Sequence, residues 1–201
     1  MAGALSSVYL LPETQTAIII LSNTFALRDA PDWIAQPLVE VILDSPKRND
    51  FVDLSENAAE NSLGHQPNTQ KILAKERVIE TSHRELNEYT GRYYKSIGNP
   101  NPDIAISGDG LRMITQGFPY VHYDLYRYNY DVFAWDCDRE KESHKTIYPQ
   151  WAPNFHRISF LKGKSGKIKK LGWGFGGGKP EGEEVLKEID QPVCLQRLTF
   201  S

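Results

Sequence analysis

Acyl transfer through a serine needs a hydroxyl and a base held side by side. In a helix, Ser-x-x-Lys meets that need, because residues three apart share a face and the amine can take the serine proton as attack begins. The chain is read as holding no Ser-x-x-Lys at all. Ser55-Glu56-Asn57 has the Ser-x-Asn types of a second catalytic element, but it falls in a polar stretch and reads as chance. Lys164-Ser165-Gly166 has the types of a third element, yet it sits in a turn among lysines and reads as solvated. The histidines His65, His83, His122, His144 and His156 show no i, i+4 spacing, so no metal site is expected. Trp173-Gly-Phe-Gly-Gly-Gly178 lacks the Lys-Ser/Thr that a phosphate cradle requires, and reads as a strand exit. Catalytic, cofactor-binding and metal-binding residues are each predicted as none, and no cofactor is implied.

The elements that would position any chemistry begin with two apolar runs, Val8 to Leu11 and Ala17 to Leu21, around the break Pro12-Glu-Thr-Gln15. That pattern predicts a β-hairpin meant to sit in a larger sheet. Ile34, Leu38, Val41 and Ile42 then recur at helical spacing after Pro31-Asp-Trp33, with Pro37 predicting a kink or a late start. From Ser45 to Ser82 polar residues dominate, and a connector with one or two short helices is expected, Asn68 to Thr81 being the best candidate.

From His83 the texture changes. Tyr93-Tyr94, Ile104 to Ile106, Leu111 to Ile114, Tyr120 to Tyr130, Val132 to Trp135, Arg157 to Leu161 and Ile168 to Trp173 alternate with Gly-rich turns, the pattern of an antiparallel barrel. The tyrosines between Tyr120 and Tyr130 are expected as core or barrel lining, and Glu181 to Asp190 as a short closing helix. The expected class is mixed α+β. The expected domains are a hairpin and helix over 1–44, a connector over 45–83 and a barrel over 84–201.

The 201 residues carry a net charge of −3, which argues against nucleic acid bound through the overall field. No apolar run approaches the ~20 residues of a membrane span, so a soluble chain is expected, with no membrane partner. Cys137 and Cys194 fit neither a disulfide framework nor a zinc ribbon, which points to free thiols and a cytoplasmic, reducing setting.

The hairpin, its Ser22-Asn23 exit and the following helix resemble the end of the β-lactamase-like domain of β-lactamase-related serine hydrolases. That group includes class C β-lactamases, penicillin-binding-protein-like carboxypeptidases, esterases and transesterases. Glu88-Tyr-Thr-Gly-Arg-Tyr-Tyr94, Asp131-Val-Phe-Ala-Trp135 and the Phe160 to Trp173 run with its Gly166 turn resemble the lipocalin-like domain often appended to them. The connector carries no resemblance.

What the resemblance implies is acyl-Ser chemistry in the family, with this chain holding only the C-terminal part and starting just after a Lys-Thr-Gly or His-x-Gly triad. No activity is expected from it alone. The partners implied are an ester or amide substrate, and a second copy or an N-terminal partner through the 3–23 hairpin. The alternative is a lipocalin-like module that binds a small apolar ligand without catalysis.

Overall fold

The computed structural model describes residues 3–24, 27–94, 100–115, 117–145, 150–174 and 184–188. The chain divides into two compact units, residues 1–73 with 137–151, and residues 74–136 with 152–201.

In the first unit, β1 (Leu5–Leu11) and β2 (Thr16–Ser22) pair antiparallel with Val8 opposite Ile19 at the centre. A 3-10 turn over Pro12–Thr14 joins them, and Gln15 takes a left-handed backbone with φ of 51°. Helix α1 (Ala30–Ile42) packs on one face of this hairpin and buries Ala35 and Ile18. Pro31 in its first turn has a φ already suited to a helix. The helix therefore starts at Ala30, and Pro37 lies inside it rather than marking a late start. Asp32 anchors α1 to the strand, accepting from the Tyr9 hydroxyl at 2.6 Å, Gln36 Nε2 at 2.7 Å and Ser7 Oγ at 3.3 Å.

The polar stretch differs from the expected short helices. It forms one helix, α2 (Phe51–Glu76), running through Gly64 and Pro67. Asp50 starts it by accepting the backbone N–H groups of Val52 at 3.1 Å and Asp53 at 3.0 Å. Tertiary contacts override the two helix breakers. Thr69 donates its hydroxyl to the Trp151 carbonyl, Gln70 Nε2 donates to the Cys137 carbonyl at 3.1 Å, and His65 stacks on Trp151 at 5.3 Å. The segment 137–151 that supplies these partners carries the short helix α3 (Arg139–His144), capped by the Asp138 carboxylate.

The second unit is a closed antiparallel barrel. Its strands are β3 (Gly91–Tyr94), β4 (Pro100–Ser107), β5 (Gly110–Ile114), β6 (His122–Asn129), β7 (Val132–Ala134), β8 (Arg157–Lys162), β9 (Ile168–Trp173) and β10 (Glu184–Glu188). Each strand from β3 to β9 pairs with the next, and β10 closes the ring between β9 and β3. Within the helix expected over 181–190, the described residues Glu184–Glu188 instead form a strand. Lys187 pairs with both Tyr94 and Lys170, so two open strand edges outweigh local helix propensity in Glu184–Glu188.

Alternation along each strand fills the interior. Leu111 and Met113 of β5, Tyr123 and Leu125 of β6, Ile158 and Phe160 of β8 and Leu171 of β9 are buried in one continuous core. Gly108 turns the chain between β4 and β5 at φ of +60°, a conformation in which a side chain is strained.

The expectation for Tyr120 to Tyr130 holds in part. Tyr123 lines the barrel and Tyr128 is buried, as expected, but Tyr126 is only half-buried, on the face of β6 opposite Tyr123. Residues 76–78 meet both: Arg77 stacks over Tyr126 at 4.6 Å, and Tyr128 donates to Glu76 at 3.3 Å. Tyr120 and Tyr130 are exposed.

Candidate functional site

Each residue set with chemical potential takes a structural position. Ser55 Oγ donates to the Val52 carbonyl and Asn57 Nδ2 to the Asp53 carbonyl, both within α2. Lys164, Ser165 and Gly166 form the exposed turn between β8 and β9. His65 stacks on Trp151, His83 and His122 bond local carbonyls, and His156 is buried against Trp135 and Phe155. Among the described residues no three His, Cys, Asp or Glu side chains come together as a metal would require. Trp173 belongs to the core, whereas 175–178 and Cys194 lie outside the described residues.

One correction concerns the nucleophile motif. The bare Ser-x-x-Lys spacing does occur once, as Ser159-Phe-Leu-Lys162. It lies on β8, where residues three apart point to opposite faces of a regular strand, and a register shift follows at Leu161/Lys162. Lys162 Nζ is directed to Asp131 at 3.5 Å, not to Ser159. The spacing alone therefore builds no serine–lysine couple.

The barrel interior is occupied by its own rings. Tyr89, Phe133 and Phe160 meet at 4.9–5.7 Å, and Trp135, Phe155 and Trp173 at 5.4–5.8 Å. A ligand at that place would have to displace packed aromatics, each worth several kcal/mol of burial, about 3–5.

A buried polar group ties two distant segments of the barrel. The Tyr89 hydroxyl donates to Asp131 at 2.7 Å and accepts the Arg84 backbone N–H at 3.1 Å. Lys162 and Arg84 flank the same carboxylate at 3.5 and 3.9 Å. Burial, and then the bond to Asp131, push the Tyr89 hydroxyl up to about 12. A phenol held neutral in this way is a latch rather than a base. Asp131 reaches it because Tyr130 adopts φ of 40° in the β6–β7 turn, where its N–H bonds Thr81 Oγ1 at 2.6 Å. Sequence reasoning singled out neither residue, although both fall within the quoted segments 88–94 and 131–135.

The remaining candidate is a surface. Burial alternates along β1 and β2, and the face away from α1 shows Val8, Leu10, Ile19 and Leu21 at 57–76% exposure. Neither strand contains a charged residue, and among the described residues the two form a sheet of their own with an open edge on each side. Monomers rarely expose such a patch, and edge strands without charge, proline or bulge invite another strand. Chemically this face can do one thing, which is to dock apolar structure.

Among the described residues no helix is long and apolar enough to cross a membrane. No curated protein matches the chain. Among solved structures, the C-terminal domain of a penicillin binding protein (Rv0907) is similar at 16% identity and a TM-score of 0.36, over 54% of this chain and 88% of that one. The family described as "Domain of unknown function (DUF3471)" matches residues 75–188, a span that takes in the barrel strands from β3 to β10. Since that span is more than half of the chain, the protein belongs to the DUF3471 family.

Proposed function

We propose that the chain is the C-terminal, non-catalytic part of a β-lactamase-related serine hydrolase or transesterase. In this reading β1 and β2 extend a sheet whose other strands, carried on another polypeptide segment, border the acyl-Ser site. The barrel is the appended body beside the cleft, where it restricts which ester or amide enters. The observation that carries the reading is the uncovered, charge-free face of the β1–β2 hairpin, already packed on α1 on its other side. Supporting it are the resemblance of residues 1–44 and 84–175 to the end of such proteins, and the absence of a helical Ser-x-x-Lys.

The test uses a related hydrolase from which the corresponding hairpin, helix and barrel are removed, refolded with and without this chain. Serine labelling by a fluorophosphonate should appear only in the mixture, and Leu10→Lys/Ile19→Lys should abolish it. Labelling of the chain alone, or no co-elution of the two polypeptides, would overturn the reading.

A further inference from the structure

A groove in the first unit, distinct from the hairpin face, lies between the outer side of α1 and the first turns of α2. Its volume is about 720 Å³, and Trp33, Ile34, Leu38, Phe51 and Val52 supply its apolar walls. That volume falls in the range of small-molecule sites, ~300–1,000 Å³. Arg48, an exposed residue, is also part of its lining.

The charges around the groove are not equivalent. Asp50, the one acidic residue lining it, is committed to the N-terminus of α2 through the N–H groups of Val52 and Asp53. Glu40 of α1 is committed to Asn49, accepting its Nδ2 at 2.6 Å and its backbone N–H at 3.2 Å. Arg48 makes no hydrogen bond or ion pair among the described residues. The lining thus joins apolar side chains to one guanidinium without a partner among the described residues, beside carboxylates that accept backbone and amide N–H groups.

We propose that this groove binds a medium-chain carboxylate, an amphiphile whose alkyl chain lies along Leu38 and Val52 and whose head takes a bidentate bond from Arg48. The planar fork of arginine matches a carboxylate in two parallel N–H···O bonds, and apolar burial adds with each methylene. The site rests on neither the barrel nor the hairpin, so it stands or falls independently of the hydrolase reading.

The test is titration of the full chain with decanoate, octanoate and decanol below their micellar concentrations, read by calorimetry and by methyl shifts of Ile34, Leu38 and Val52. Decanoate should bind at least tenfold tighter than decanol, and about tenfold tighter than octanoate. Arg48→Gln should bring decanoate down to the level of decanol, whereas Lys47→Gln should change neither. Leu38→Asp, at a solvent-facing position, should weaken both ligands while leaving the circular dichroism spectrum intact. Equal binding of decanoate and decanol to the unaltered chain would overturn the proposal. So would equal loss in Arg48→Gln and Lys47→Gln, shifts confined to the barrel, or occupation of the groove by an apolar peptide but not by decanoate.

Discussion

Tyr89 holds its hydroxyl between the Asp131 carboxylate and the Arg84 backbone N–H with no access to solvent, so its ionisation is tied to folding. Its pKa is raised from 10 to about 12, mainly by burial and then by the bond to Asp131. The neutral form is the one favoured by the fold, so the linked stability is complete below pH ~10 and lost as pH climbs towards ~12. Two units correspond to about 3 kcal/mol. Thermal melts between pH 8 and 12 should therefore fall steeply for the unaltered chain and less steeply for Tyr89→Phe. At neutral pH the variant should be about 1–3 kcal/mol less stable, because Asp131 loses a donor and Arg84 an acceptor. Asp32 predicts the opposite limb. Hydrogen bonds from Tyr9 and Gln36 hold its carboxyl below the ordinary range, so its contribution is present above the unfolded value and lost as pH falls through the folded one. Tyr9→Phe should flatten the acid side of the stability profile, measured by urea midpoints from pH 6 down to 2.

Helix α2 shows how an element forms against its local composition. Gly64 and Pro67 each oppose a helix, yet the contacts of His65, Thr69 and Gln70 with the 137–151 segment hold the helix through them. Gly64 is exposed, and a methyl group added there meets nothing within 4 Å. Gly64→Ala should therefore stabilise the first unit by about 0.5–1 kcal/mol, seen as a higher urea midpoint with an unchanged slope. The β1–β2 hairpin makes a second prediction at this scale. Its exposed Val8, Leu10, Ile19 and Leu21 should drive self-association of the full chain when no other polypeptide covers them. Light scattering should show oligomers that Leu10→Lys/Ile19→Lys converts to monomer, and a monodisperse unaltered chain would contradict this.

In the whole molecule, the β7–β8 connection belongs to the first unit while the strands it joins belong to the barrel. Ala134 and Arg157 are direct partners, and the Trp135 N–H bonds the His156 carbonyl at 3.1 Å, so the barrel itself needs only a short bridge there. Replacing residues 137–151 by a Gly-Ser linker should leave the aromatic near-ultraviolet signal of the barrel in place. The same change should lower the melting temperature of the first unit, because helix α2 loses part of its cover. Two separate calorimetric transitions are expected, and a single joint collapse would refute this division of stability.

Most barrel strands were legible because each buries alternate residues, a period that local sequence records directly: Leu111 and Met113, or Ile158 and Phe160. The hairpin and α1 could be read for the same reason. Three outcomes depended on contacts between residues far apart in the chain. Glu184–Glu188 has the composition of a helix and becomes β10 because β3 and β9 offer it two edges. Tyr126 looks like lining and instead lies half-buried under the Arg77 guanidinium. The Tyr89–Asp131 latch and the lack of a partner for Arg48 among the described residues arise from which donors and acceptors folding brings together. Periodicity is local and is written in the sequence, whereas hydrogen-bond partners and free strand edges exist only once the chain has closed on itself.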